Sequence, residues 1–369
     1  EREWIDKLVK KTSVYQQQGG NYDVSVQVTI PNEWQPVAPI NIGITAGIET
    51  TKVSAVWLEK ANAMTKIITV SEFSKEIFLN TTYEGYNKNT NQPMTLKCNA
   101  PIEVVHYPVK KYENKDLNLE LTTKFNFLTI AQWGPRKNVG NTVQWFIEEF
   151  YDNPDVGLVV KTFIKGGSKI DKKEVRKSLE RLLKHPDYLD KKCKVYLLHG
   201  DFSDEEMHSL YKQPDIHAFV SLSHGEGYGL PHFEAAYSAL PVIAPEWSGY
   251  LDFLCMPSEV GSGRRRRSKM TPYFAPVAYD LAPVQTEVVW EGVIEKDSMW
   301  AYAQQGSYKM KLRDVYKNYN KYKQKSIKLQ KWILTNFEET KQYKEMAASC
   351  MECIKLKQTL TMEDILAFE

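Results

Sequence analysis

Two glutamates and three glycines in the run HGEGYGLPHFEAAYSALPVIAP are the residues of this 369-residue chain whose types and spacing speak most directly of chemistry. Gly225, Gly227 and Gly229 alternate with Glu226 and Tyr228, and Leu230 and Pro231 then stand where a helix should begin, since proline is tolerated in a first turn. The apolar stretch 216–222 before them reads as a strand. Strand, glycine loop and helix in that order build an anion cradle. Glycines take positive φ and let the backbone approach a ligand, while the free amides of the helix start favour a group such as a diphosphate. Glu226 in the loop and Glu234 early in the helix frame this cradle with seven residues between them, so both can point toward one ligand. Carboxylates do not bind phosphate, but they accept hydrogen bonds from sugar hydroxyls. His224 adjoins the cradle and has two readings, a contact to a sugar or a ring bonded to backbone.

These residues need a scaffold, and the rest of the chain supplies its pattern. Residues 23–30, 40–44, 66–70 and 103–107 read as short strands, and 53–63 and 71–80 as helices, with Ser71 as an N-cap for the second. A polar, charged run opened by Pro108 extends to residue 124 and has linker composition. A second rhythm follows: strands over 125–131, 156–162, 194–199, 216–222 and 241–244, alternating with helices over 138–151, 171–185, 203–213 and 231–240. Repeated strand and helix imply a parallel sheet covered on both faces, with ligands at the carboxyl ends of its strands. The loops after Ala131, Thr162, His199 and Leu222 are therefore where chemistry is expected. Ser203 and Glu206 fit a capping box. From about residue 308 to 357 the chain is helical in composition and is expected to pack across the outside of the domains.

Length favours two domains. A formal charge of +2 makes no global demand for an acidic partner, and any electrostatic site must be local. Five cysteines, an odd number, argue for reduced thiols and a cytoplasmic location. No stretch approaches the roughly 18 apolar residues of a spanning helix. Asn80 opens a glycosylation sequon that reads as an ordinary surface turn. Cys350 and Cys353 have metal spacing but no second ligand pair, so they read as plain helix positions and no metal site is expected. Arg264, Arg265, Arg266 and Arg267 form the one dense basic run; a solvated loop is favoured over contact with nucleic acid or anionic lipid. Tyr316, Tyr319 and Tyr322 lie on a Lys-rich helix for which packing is favoured over a peripheral membrane contact.

The cradle resembles the donor-binding signature of family-4-type retaining glycosyltransferases with the GT-B fold, also grouped as glycosyl transferases group 1. Glu226 and Glu234 match that family's Glu, seven residues, Glu pattern, in which the first carboxylate contacts the transferred sugar and the second the ribose. Ala235, the 241–244 run and Ser248-Gly249 fit the same pattern, and the run from Ile130 to Asn138 resembles the loop whose basic pair binds the diphosphate. Lys137 matches the family lysine; Gln132 stands five residues earlier, where the family has its other basic residue, and Arg136 is the candidate substitute. The first half resembles the family through APINIGITAGIET, TKIITVSEFSKEIF and IEVVHYPV.

The resemblance implies an α/β fold of two Rossmann-like domains with parallel sheets facing a cleft. Residues 1–112 would take the acceptor, 113–124 link, 125–307 bind the donor, and 308–369 cross both domains as helices. It implies transfer of a sugar from a nucleotide-sugar donor, such as a UDP- or GDP-sugar, to an unidentified glycan, lipid or protein acceptor, with retention, without metal or cofactor. Glu226, Lys137 and Arg136 would be catalytic, and Glu234, Gly227, Tyr228, Gly229, Leu230, Gln132, Gly134 and His224 would bind the donor. Gly200, Asp201 and Phe202 would lie by the nucleobase. The first domain is short for this family, so a further strand, glycine turn and helix are expected upstream. Competing readings are a non-catalytic or degenerate sugar-nucleotide or glycan-binding protein, a GT-B nucleotide-sugar epimerase, and a nucleic-acid binder using the arginine run, the last not expected.

Overall fold

β-Branched runs punctuated by serine-capped helices generate most of the secondary structure. The computed structural model describes residues 2–86, 91–261 and 267–366. Helix α1 (Arg2–Gln17) is followed by β1 (Val24–Val28), β2 (Ile40–Thr45), α2 (Ala55–Asn62), β3 (Lys66–Thr69), α3 (Glu72–Asn80), a hairpin of β4 (Thr82–Tyr86) and β5 (Pro93–Lys97), and β6 (Ile102–Val104). Strands β1, β2, β3 and β6 form a parallel sheet in that order. Ser54 and Ser71 cap α2 and α3, accepting from the amides of Trp57 and Ser74 and so satisfying donors that a helix start leaves free. Trp57, Leu58, Ile67 and Phe78 fill the core on one face of the sheet.

Beyond a stretch without helix or strand, the chain builds β7 (Phe125–Gln132), α4 (Val139–Phe150), β8 (Val156–Phe163), α5 (Lys169–Leu183), β9 (Lys194–Leu198), α6 (Asp204–Leu210), β10 (Ile216–Val220), α7 (Leu230–Tyr237) and β11 (Val242–Pro245). A short α8 (Leu251–Leu254), the hairpin β12 (Cys255–Val260) and β13 (Arg267–Pro272), and β14 (Ala275–Val277) come next. The six-stranded sheet runs β14-β11-β10-β7-β8-β9, parallel throughout. Its core strands are buried on both faces, which is why they read as continuous apolar runs rather than alternating ones. The strands and helices expected in this half are all present to within a few residues, and Ser203 with Glu206 forms the expected capping box. Strand order reverses between β10 and β7: β8 and β9 are added on one side, β11 and β14 on the other.

The hairpin β15 (Tyr279–Pro283) and β16 (Met299–Ala303) departs from the second half. Its connecting segment carries Val293 into the core of the first. Ser54 Oγ donates to the Gly292 carbonyl at 2.8 Å, Lys52 pairs with Asp297 at 2.6 Å, and Thr51 and Met299 exchange two hydrogen bonds. Nothing in the composition of 284–298 signals this attachment. Helices α9 (Gln305–Lys317), α10 (Tyr319–Asn336) and α11 (Glu339–Leu366) close the chain. Helix α10 lies on α7, with Leu329, Ile333 and Phe337 in that core and Ser326 Oγ donating to the Ala239 carbonyl. Helix α11 lies on the other face of the first sheet, where Cys353 and Cys350 pack with Ile40 and Ile42, and Lys66 holds Glu103 and Glu352 at 2.5 and 2.7 Å. The two cysteines are thus helix positions in a core, and all five thiols are free. Of the arginine run, Arg264, Arg265 and Arg266 lie outside the described residues; Arg267 opens β13 and is exposed.

Candidate donor site

The reversal of strand order between β10 and β7 is a topological switch point, where loops at the carboxyl ends diverge and leave a crevice. Of the four loops where chemistry is expected from sequence, those after Ala131 and Leu222 flank it. After β7, Gly134 and Pro135 turn the chain, and Asn138 ends the turn in the left-handed region at φ 51°, which asparagine tolerates. This turn carries Arg136 and Lys137 toward the loop after β10. Arg136 Nη1 donates to the Gly225 carbonyl at 2.8 Å and pairs with Glu226 at 3.1 Å, while Lys137 Nζ meets the other Glu226 oxygen at 2.5 Å. Glu226 is 7% exposed. Burial alone would raise its carboxyl, but Lys137 and Arg136 outweigh that and hold it down at about 2. Burial lowers the Lys137 ammonium more than Glu226 raises it, and Arg136 adds repulsion. The result is a buried carboxylate held by two half-buried cations at the crevice.

Gln132 points elsewhere: its Nε2 donates to the Ile164 carbonyl at 2.7 Å, toward the loop after β8. Arg136 is therefore the second cation beside Lys137. Glu234 stands on a different wall. It accepts from the Tyr211 hydroxyl at 2.8 Å and, with Leu230, borders a cavity of about 200 Å³ whose other side is Tyr107, Pro108, Lys110 and Tyr112. Burial, against the Tyr211 hydrogen bond, pushes the Glu234 carboxyl up to about 7. The two glutamates are thus not equivalent, one fixed as an anion and one titrating near neutrality.

The glycines act differently from the expectation that all of them supply positive φ and ligand access. In the loop only Gly229 lies in the left-handed region, at φ 91°, where it starts α7. A Cβ on Gly225 would collide with the Glu49 carbonyl, and one on Gly227 with the Ala46 carbonyl. These two glycines admit the backbone of the loop after β2. The first half contributes further groups there. Arg136 Nη2 pairs with Glu49 at 3.4 Å, Ser71 Oγ donates to the Gly227 carbonyl at 2.6 Å, and the Glu72 amide donates to Asp252 at 2.8 Å. Sequence reading passed over Glu49, Ser71 as a bridge, and Asp252. The strand-end rule applied to β2 points to the Ala46 to Glu49 loop, whereas the other contacts cross between halves and carry no local mark.

Two further residues expected to touch the donor are placed as follows. The Tyr228 ring is buried against Phe233 and Phe253, and its hydroxyl lies 3.5 Å from the carbonyl of Tyr107, a residue that borders the Glu234 cavity. His224 follows its second reading: its Nδ1 lies 2.9 Å from the Ala301 carbonyl and its ring stacks on Trp300, which fastens the cradle to β16. Gly134 sits at the turn before Arg136, and Gly200, Asp201 and Phe202 follow β9 at the same sheet edge. Among the described residues, no group of three or more His, Cys, Asp and Glu side chains is placed to hold a metal ion, and no helix is long and apolar enough to cross a membrane.

The architecture recurs in solved structures. Sucrose-phosphate synthase from Thermosynechococcus elongatus superimposes with a TM-score of 0.56 at 12% identity, over 98% of this chain and 79% of that one. Anabaena HepE in complex with UDP and glucose gives 0.52 at 12% identity, over 85% and 72%. The pneumococcal O-GlcNAc transferase GtfA in complex with UDP and GlcNAc gives 0.50 at 13%, over 86% and 53%. This chain has the GT-B fold. Within GT-B geometry the crevice between β7 and β10 faces the first sheet across the Glu49 loop. In sequence, 118 residues are 34% identical to a serotype-specific mannosyltransferase WbdA of Escherichia coli, covering 32% of this chain and 13% of WbdA; a second WbdA sequence matches equally over 12% of its length. The chain therefore matches only a small part of those relatives. No family model matches.

Proposed function

We propose that this GT-B chain is the donor-binding and catalytic part of a glycosyltransferase that takes its sugar from a nucleoside-diphosphate donor. The observation that carries the reading is the pairing of buried Glu226 with the half-buried Arg136 and Lys137 at the switch point. Two partly desolvated cations beside a helix start suit a diphosphate leaving group, and pre-aimed charge of this kind supplies a large share of catalytic power. In this reading Arg136, Lys137 and the amides near Gly229 and Leu230 take the diphosphate. Glu226, released from the cations as phosphate engages them, accepts from sugar hydroxyls. Glu234 accepts from the ribose, with Gly134 bordering the diphosphate and Gly200, Asp201 and Phe202 beside the base. The similarity to WbdA and to structures bound to UDP and sugars supports this assignment. The residues 1–112 would offer the acceptor, a glycan, lipid or protein, across the Glu49 loop. Transfer with retention and without metal follows from the resemblance of the two-glutamate pattern, and free thiols suit a cytoplasmic location.

The test is turnover of UDP- and GDP-sugars against a pool of glycan and lipid acceptors, with EDTA present and the product anomer read by NMR. The expected result is metal-independent transfer with the donor's anomeric configuration kept. Inversion, or activity that EDTA abolishes, would refute the finer reading, and nucleotide-sugar binding with no transfer to any acceptor would refute the enzyme.

A further inference from the structure

Lys161 sits near the end of β8, directly after the buried Leu158, Val159 and Val160, and is 6% exposed. Its Nζ donates to the Gly200 carbonyl at 2.6 Å and stands 4.6 Å from the centre of the Phe202 ring. Among the described residues, no carboxylate lies within ion-pair distance of it, and burial lowers the ammonium against a partial pull from Asp201. A buried cation without an ion pair is costly, and an apolar side chain would fill this place more cheaply. An ammonium held there by one carbonyl and one ring, with no carboxylate paired to it, keeps N–H donors that a ligand can take.

Position says which part of a ligand. Strand β8 lies between β7 and β9, so Lys161 is one strand out from the Arg136 and Lys137 loop and directly linked to the loop after β9. A nucleotide with its phosphates at the switch point and its base toward Gly200 crosses the end of β8. The surroundings are braced: Asp171 accepts from the Ile164 and Lys165 amides and holds His199 at 2.8 Å, and a Cβ on Gly167 would collide with the Asp201 carboxylate. An ammonium has three N–H donors and no acceptor, and Gly200 takes one of the three.

We propose that Lys161 selects the base of the donor by donating to an exocyclic carbonyl oxygen, so that the site takes uracil or guanine and rejects adenine. Adenine presents an amino group where guanine has O6, leaving the lysine donor facing another donor in a desolvated place. Loss of one such polar match in a buried site discriminates strongly. The proposal rests on the donor-site reading above.

Calorimetric titration with UDP, GDP and ADP separates the two claims. The wild type is expected to bind UDP or GDP at least tenfold more tightly than ADP. Lys161→Met should lose at least tenfold for the preferred nucleotide and less than threefold for ADP. Lys161→Gln, whose amide both donates and accepts, should narrow the gap to ADP and serves if the methionine variant does not fold. Equal binding of ADP by the wild type, an equal loss for all three nucleotides, or an unchanged ratio in the glutamine variant would overturn the role of Lys161. If none of the three binds the wild type, the donor site itself is wrong.

Discussion

Glu226 and a diphosphate would compete for the same two cations, and this makes the residue separable from its neighbours. Glu226→Gln keeps the shape but removes the charge that occupies Arg136 and Lys137, so free UDP or GDP is expected to bind as well as to wild type or more tightly. Turnover of the nucleotide sugar should fall at least a hundredfold, because the carboxylate that accepts from the sugar is gone; a kcat within threefold of wild type would contradict the assignment. Glu234 is tested by pH. Burial raises its carboxyl to about 7 from an ordinary 4.5, so the folded state holds a proton that the unfolded state has lost. Its contribution to stability therefore falls as pH rises from 4.5 through 7 and then levels. Ribose hydroxyls are better held by the ionised form. Nucleotide affinity should accordingly rise between pH 6 and 8 in wild type, and Glu234→Gln should remove that part of the rise when the two titrations are compared. The placement of Glu226 in a loop and Glu234 in the following helix was legible in the sequence because glycine, glutamate and proline spacing is local. The burial that sets their different charge states was not, since it depends on Tyr211 and on the Lys137 turn, both distant in sequence.

At the scale of elements, the strands and helices of the second half were legible for a physical reason. Doubly covered parallel strands read as unbroken apolar runs, and Ser203 with Glu206 marks a helix start locally. The glycine loop was legible as a loop but not in its purpose. Gly225 and Gly227 are pressed on by the carbonyls of Glu49 and Ala46, so Gly227→Ala must push the halves apart. The expected loss is about 1–3 kcal/mol in chemical unfolding, the usual scale for overpacking, with donor affinity reduced. A variant as stable as wild type would show that the two loops do not meet as described. The β15–β16 connection was illegible because Val293 joins a core otherwise built from the first half, between Ile30 and Ile102, with Ile294 beside it. Val293→Ala should cost about 1–3 kcal/mol and lower the melting temperature, although the residue lies after every strand of the six-stranded sheet.

Across the whole molecule, the halves are tied by three routes: the Ser71, Glu72 and Glu49 contacts at the crevice, the β15–β16 connection, and helices α10 and α11, which cover one sheet's partner helix and the other sheet in turn. In the proposed function, donor binding at the switch point would be coupled to the position of the first half, because Arg136 serves Glu226 and Glu49 together. The most direct measurement of the central claim is a thermal-shift panel of nucleoside diphosphates and nucleotide sugars on wild type, Glu226→Gln and Glu234→Ala, since a ligand that binds the native state raises its melting temperature. The account predicts a shift of wild type by at least one UDP- or GDP-sugar. It also predicts loss of all nucleotide shifts in Glu234→Ala, and in Glu226→Gln a retained diphosphate shift without the added increment from the sugar. A wild type that no nucleotide sugar shifts, or two variants that respond as it does, would contradict it.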